Sequence, residues 1–301
     1  MKVAEIDNFL QYLRAERNYS PHTIAAYGND LTQFAAFLSG EENRGIELAS
    51  IDNTDIRSWI ASLAEAGIGQ RSMRRKVQAV RALYKYLMHE GTVEENPAAD
   101  VELAHLPHRL PTFVREQNMA NLLEADIDTT DVTAVRDRLI VMMFYETGMR
   151  RSELITLQDK WVDTKTRELR VHGKRDKDRI IPFGTELAQC IEQYRDLRNT
   201  AGMNGLTFFT RTGGEPLYPS LVYRIVHDAL MQAGGSDKKS PHVLRHSFAT
   251  AMLNDGARLD SVKELMGHES IATTQIYTHV TLSDLKNNYK LAHPRALKKG
   301  G

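Results

Sequence analysis

Residues 242–250 read HVLRHSFAT, and residues 265–280 read LMGHESIATTQIYTHV. These two short segments gather four histidines, an arginine and a tyrosine among apolar neighbours. Two chemistries use such a set, a metal centre or a cradle for an anion with a nucleophile beside it. The longer stretch PHVLRHSFATAMLNDG reads as a helix, with Pro241 at its start and Gly256 just past its end. At 100° per residue, His242, Arg245, His246 and Ala249 share one face, and Leu244, Phe248 and Ala251 share the opposite one. The polar face is expected to look away from the core.

The metal reading starts from the i, i+4 spacing of His242 and His246. It lacks the glutamate that HExxH places inside the pair, and no acidic third ligand stands nearby. Arg245 lies between the two histidines, and a fixed cation opposes binding of a dication. The sequence therefore predicts no metal. The anion cradle fits these residues. Arginine offers a planar fork of donors that matches a phosphate and keeps its charge, and histidines beside it donate hydrogen bonds or move protons. Tyr277, shortly after the GHES turn, is the candidate nucleophile. A phenol that attacks a phosphodiester forms a phosphotyrosine and conserves the bond energy, so the strand reseals without ATP. Negative charge gathers on the non-bridging oxygens in the transition state, and removing one preorganised donor to such an oxyanion typically costs ~10²–10³ in rate.

Outward from this segment, the chain has 301 residues, enough for two domains of ordinary size. Basic and acidic side chains balance at 39 each. The balance is uneven, with 11 basic against 15 acidic residues in 1–106 and 28 against 24 in 107–301. A neutral total thus conceals a second half suited to a polyanion. The single cysteine, Cys190, excludes an internal disulfide and a cysteine-rich zinc site. The N-terminus has no signal-type apolar run and no stretch approaches the ~20 apolar residues of a membrane span, so a soluble cytoplasmic protein is expected.

The first hundred residues read as helices only. In SPHTIAAYGNDLTQFAAFLSG, Ser20 is an N-cap and Pro21 suits the first helical position. Ile24, Tyr27, Leu31, Phe34 and Leu38 then make one apolar stripe before Gly40. A second helix, in NTDIRSWIASLAEAG, is expected to start at Thr54 or Asp55 and to stop at Gly67. A third, in GQRSMRRKVQAVRALYKYLMHEG, sets Met73, Val77, Val80, Tyr84 and Leu87 on one side. Arg71, Arg74, Arg75, Arg81 and Lys85 fall mostly on the other, which reads as a phosphate-contacting face.

NPAADVELAHLPHRLPTFV (96–114) holds three prolines and reads as an interdomain linker. After it, RDRLIVMMFYETGMRRSELITL is a buried helix, a break at Gly148 and a second helix. RELRVHGKRDKDRIIPF reads as a β-hairpin with a charged turn from Gly173 to Asp178, and from GTELAQCIEQYRDL onward the pattern is helical again.

Taken together, TGMRRSELITL, GKRDKDR, HVLRHSFAT, LMGHESIATTQIYTHV and the late HPRA resemble the tyrosine recombinase (λ integrase-like) family, most closely its Xer branch. YSPHTIAAYGNDLTQFAAF resembles the helical core-binding (SAM-like) domain of that family. The departures are small: GMR stands for the more usual GLR, and GKRDKDR is more charged than GKGNKER.

The resemblance implies a mainly α protein with a small β-sheet, built as a two-domain DNA clamp. Residues 1–107 form a helical core-binding domain and 112–301 the catalytic domain. It implies that Arg150 and Arg245 grip the scissile phosphate and that Lys174 is the general acid for the departing 5′ oxygen. His242 becomes a proton acceptor and phosphate ligand, His268 a further phosphate contact, and Tyr277 the nucleophile. Glu153 orients the site from behind. Arg151 and Lys177 are the neighbouring rivals of Arg150 and Lys174, while His246 and His279 receive no role.

The activity implied is cutting and rejoining of double-stranded DNA through a 3′-phosphotyrosine and a Holliday junction, with no cofactor. A protein tetramer would synapse two sites, alone or with a paralogous Xer recombinase, and resolve chromosome dimers at a dif-like site before cell division. A septal DNA translocase is a further partner of this branch. The tail LKNNYKLAHPRALKKGG would dock on the neighbouring protomer. The rivals are a mobile-element integrase, a nicking–closing enzyme with the same chemistry, and a DNA-binding relative without catalysis.

Overall fold

The computed structural model describes residues 3–40, 45–103, 113–173, 178–203, 205–233 and 239–267. The chain divides into two compact units, residues 1–109 and 110–301. Among the described residues there are eleven α-helices and one three-stranded sheet.

The first unit is built from α1 (Ala4–Ala15), α2 (Pro21–Ser39), α3 (Asn53–Glu65) and α4 (Gln70–His89). The Ser20 hydroxyl accepts from the Thr23 amide at 3.2 Å and starts α2. The α3 cap is Asp52, two or three residues before the expected start. Its carboxylate accepts from the Asp55 amide at 2.9 Å, and the Asp55 carboxylate accepts from the Asp52 amide at 3.0 Å. This reciprocal pair is a capping box made with two aspartates. Met73, Val77, Val80, Tyr84 and Leu87 of α4 are all buried, against a core in which the Trp59 and Phe34 rings meet at a tilt of 54°, 4.8 Å between centroids. Full burial of one such side chain is worth about 1.5–3 kcal/mol.

The first part of the expected linker belongs to this unit. Ala98 and Val101 are buried in its core. Arg81 donates from Nε to the Ala98 carbonyl at 2.7 Å and from Nη2 to the Val101 carbonyl, and Arg74 donates to the Leu103 carbonyl at 3.0 Å. Arg75 pairs with the buried Asp30 and also donates to the Ala26 carbonyl. Arg71 and Lys85 are exposed. Of the basic residues expected on the phosphate-contacting side of α4, Arg74, Arg75 and Arg81 already hold main-chain carbonyls or a carboxylate of their own unit, while Arg71 and Lys85 do not among the described contacts. The physical reason is that a proline-rich strap has carbonyls without helical or sheet partners, and these need donors.

The second unit comprises α5 (Glu116–Glu124), α6 (Val132–Thr147), α7 (Arg151–Thr156), β1 (Val162–Asp163), β2 (Glu168–His172), β3 (Asp178–Pro182), α8 (Thr185–Thr200), α9 (Pro219–Gln232), α10 (Pro241–Asn254) and α11 (Leu259–Met266). Helix α6 is buried almost without interruption from Leu139 to Thr147, as expected for a helix apolar all round; α8, α9 and α10 pack around it. The strands form an antiparallel sheet in the order β1-β2-β3, with Leu169 opposite Ile181 and Val171 opposite Arg179. Strand β1 was not read from the sequence; two residues are too short to show periodicity. Residues 205–217 between α8 and α9 depart from the expected helical pattern and turn back through a bridge between Thr210 and Pro216.

At the other end of the strap, the Val114 amide donates to the Ser247 hydroxyl of α10 at 2.8 Å. No helix among the described residues is long and apolar enough to cross a membrane.

Candidate active site

The site begins where α6 ends. Gly148 has φ +58°, and its missing Cβ is the space that the Phe248 ring of α10 occupies. A side chain here would meet both a left-handed backbone and an aromatic face. This close approach aims the Gly148 carbonyl at α10, where Arg245 donates to it from Nη1.

Helix α10 differs from its expected orientation. His242 and His246 are exposed, but Arg245 is buried, as are Val243 and Ser247. The apolar surface wraps further around this helix than a two-faced reading allows, because α10 packs against α6, α9 and α11. Arg245 therefore points inward. Its Nη2 donates to the Met266 carbonyl at the end of α11.

Two more guanidinium groups converge on the same helix end. Arg150 donates from Nη2 to the Gly267 carbonyl at 2.6 Å, and Arg179 of β3 donates from Nε to the Leu265 carbonyl at 2.7 Å. Three successive carbonyls, 265 to 267, are thus each held by an arginine from a different segment. The C-terminal end of a helix carries partial negative charge and unpaired carbonyls, so cations are stabilised there.

Among the described residues, Glu153, in the first turn of α7, is the one carboxylate that hydrogen-bonds to these arginines. It accepts from the Arg150 amide at 2.7 Å and from Arg150 Nη1 at 2.9 Å. It also accepts both terminal nitrogens of Arg179, at 2.7 and 2.9 Å. Burial alone would raise the Glu153 carboxyl, but the Arg179 and Arg150 bonds and charges hold it below the ordinary glutamate value. It stays ionised.

Three cations thus face one anion. Burial, followed by the charges of Arg150 and Arg179, pulls the Arg245 guanidinium down to about 10, with Glu153 acting the other way. Arg245 remains charged at neutral pH but carries an excess of like charge that a bound anion would relieve. The His242 ring, exposed on the outer side of α10 yet partly desolvated, is lowered from its ordinary value by that desolvation and then by the charges of Arg151, His246 and Arg245. It is neutral at pH 7 and able to accept a proton. The cavity of about 460 Å³ between α5, α6 and α9 has none of Arg150, Arg179, His242 or Arg245 in its wall, so these groups do not converge on that hollow.

Of the residues expected at the site, Arg150, Glu153, His242 and Arg245 lie on α7, α10 and the turn before α7. Lys174, His268 and Tyr277 fall outside the described residues, as do Lys177 and His279. Arg151 has a guanidinium bond to the Pro219 carbonyl at 3.4 Å, away from the α11 end that Arg150 holds. Arg179 was not singled out from the sequence.

Comparison with known proteins gives a consistent result. Residues 112–283 match the model of the phage integrase family, and residues 6–91 match the phage integrase N-terminal SAM-like domain. The chain is 36% identical to tyrosine recombinase XerC of Bacillus subtilis (strain 168), over 97% of this chain and 96% of that protein. It is 37% identical to tyrosine recombinase XerC of Pseudomonas aeruginosa (strain LESB58), over 99% and 97% respectively. Among solved structures, XerH site-specific recombinase bound to difH substrate superposes with a TM-score of 0.67 at 22% identity, over 95% of this chain and 84% of that one. These structural likenesses concern the fold.

Proposed function

Because the chain belongs to the phage integrase family and is a tyrosine-type site-specific recombinase, we propose that Arg150 and Arg245 hold the scissile phosphate of duplex DNA while Tyr277 attacks it. The observation that carries this reading is the cationic surplus: among the described residues, Arg150, Arg179 and Arg245 meet around the single carboxylate of Glu153. Each guanidinium has five N–H groups. Arg245 gives one to Gly148 and one to Met266, which leaves donors for non-bridging oxygens.

In the proposed step the Tyr277 phenol oxygen bonds to phosphorus and the bond to the 5′ oxygen breaks. Lys174 gives that leaving oxygen its proton, and the phenol proton passes to His242, neutral for the reason given above. The product is a 3′-phosphotyrosine with a free 5′ hydroxyl. Attack by a 5′ hydroxyl from the partner duplex reverses the chemistry and gives a Holliday junction. His268 supplies a further phosphate contact. On α4, the exposed Arg71 and Lys85 touch phosphates of the bound duplex, and Arg74, Arg75 and Arg81 add to the field beside it.

The biological reading is that four protomers synapse two dif-like sites in the cytoplasm and convert chromosome dimers to monomers, with a paralogous Xer recombinase and a septal DNA translocase as partners. Its support is the likeness to XerC proteins across 97% or more of the chain.

A nicked duplex that loses a short 5′ fragment after cleavage traps the covalent protein–DNA adduct. The parent chain is expected to accumulate it and Tyr277→Phe to form none. An adduct that persists in Tyr277→Phe would overturn the choice of nucleophile.

A further inference from the structure

Arg179 is the second residue of β3. In the sheet register it lies opposite Val171, and the period of two puts it on the same face as Ile181. Leu169, Val171 and Ile181 are all buried, so this is the core-facing side of the hairpin. A guanidinium placed there has to find partners. It finds them on two other elements, the Glu153 carboxylate of α7 and the Leu265 carbonyl that ends α11.

The arithmetic of Glu153 gives that contact its meaning. An ionised carboxylate has about four lone-pair sites. In this structure all four are taken: each oxygen accepts one bond from Arg150 and one from Arg179. The side chain of Glu153 is 3% exposed and that of Arg179 12% exposed, so water does not replace a lost donor easily. With Arg179 in place, the carboxylate asks of the Arg150 side chain only one N–H. Without it, two buried lone-pair sites open next to Arg150, and Arg150 becomes the one described cation still hydrogen-bonded to that buried charge.

We propose that Arg179 is a positioning residue for strand cleavage. By filling the far side of Glu153 and gripping Leu265, it keeps the Arg150 guanidinium turned toward the phosphate and fixes the end of α11, from which the chain leads to His268. This inference rests on the reading of Arg150 as a phosphate-holding arginine. It also gives the hairpin a part in the site beyond presenting Lys174, because β3 is tied directly to the first arginine.

The test uses the full chain and a nicked duplex carrying its recombination site, with affinity and single-turnover adduct formation measured separately at saturating DNA. Arg179→Met is expected to lower the cleavage rate ~10–100-fold, the range found when a partner that orients a reacting group is removed, with DNA affinity within ~3-fold of the parent. Arg179→Lys keeps the charge but not the fork and should fall between the two. Arg179→Met with Glu153→Gln removes the orphaned buried charge, and it should regain part of the lost rate.

Parent-like cleavage by Arg179→Met would overturn the proposal. So would a loss confined to affinity, which would make Arg179 a DNA contact. If Arg179→Met does not fold, parent-like cleavage by Arg179→Lys, or a double variant that folds but cleaves no faster than background, decides against it. Arg150→Ala separates the two levels of the argument. If that variant cleaves normally, the reading of Arg150 fails; if it is inactive while Arg179→Met cleaves at the parent rate, only the inference about Arg179 fails.

Discussion

Each unit of the molecule holds one buried carboxylate between two cations, and the two arrangements have opposite outcomes. In the first unit Asp30 is shared by Arg75 and Lys76, with Lys76 Nζ at 3.1 Å from one oxygen. Arg75 is 44% exposed and so is hydrated as well as paired. In the second unit Glu153 is shared by Arg150 and Arg179, and a third arginine, Arg245, is buried beside them without a carboxylate of its own among the described residues. The first cluster is closed by its own partners and by water. The second carries unspent positive charge on groups less open to water, with Arg245 6% exposed and Arg179 12%. One residue type thus serves as mortar in one unit and as an anion receptor in the other, and the count of carboxylates decides which.

This contrast can be broken at its strongest point by Asp30→Ala. Lys76 would then be buried beside the Gln33 side chain alone. Leaving a buried charge uncompensated costs about 3–5 kcal/mol, which should appear as a large fall in the unfolding midpoint of the first unit. The protein has two tryptophans; in a Trp161→Phe background, Trp59 fluorescence reports on this unit alone. Adduct formation by the fraction that remains folded should be unchanged. A loss of cleavage chemistry in that fraction would mean that the Asp30 cluster is no mere support.

The converse test is Arg245→Ala. It is expected to lower single-turnover cleavage ~10²–10³-fold, the usual effect of deleting one donor to a developing oxyanion. Arg75→Ala, the matching change in the other cluster, should leave that rate within ~3-fold. Equal losses would erase the distinction drawn between the two sites.

The smallest expected effect concerns the outer face of α4. Arg71→Met and Lys85→Met should each lower the slope of log affinity against log salt by about one unit, evenly across DNA sequences. An unchanged slope in both would remove α4 from the DNA-facing surface.

Much of this was legible in the sequence because it depends on local rules. Ser20 and Pro21 announce α2, and the spacing from Met73 to Leu87 announces the buried face of α4. Gly148 marks the break that presents Arg150. Much of what stayed hidden shares one cause: the partners are main-chain carbonyls. Arg81 looked like part of a solvent-facing basic stripe because nothing in the letters of residues 98 and 101 says that their carbonyls lack donors. Arg245 looked outward for the same reason.

Arg179 was the residue most open to discovery. It alternates with Ile181 in a short strand, so a period-two reading places it on the buried face, where an arginine requires a carboxylate. Which carboxylate, 26 residues earlier in the chain and five beyond the Gly148 break, was beyond local pattern.

The grip on carbonyls 265 to 267 has a consequence for how this segment tolerates change. A peptide oxygen is present whatever residue supplies it, so Leu265 and Met266 can vary in side chain without losing what the arginines hold. Gly267 is the exception, at φ +63° with Arg179 and Arg150 nitrogens 3.1 and 3.3 Å from where a Cβ would sit. Length is another matter. Inserting or deleting a single residue in α11 moves every oxygen by 100° around the helix axis, and three guanidinium groups from three distant segments lose their target together. Drift by substitution and drift by indel are therefore under very different constraint here, although both would alter the same eight residues.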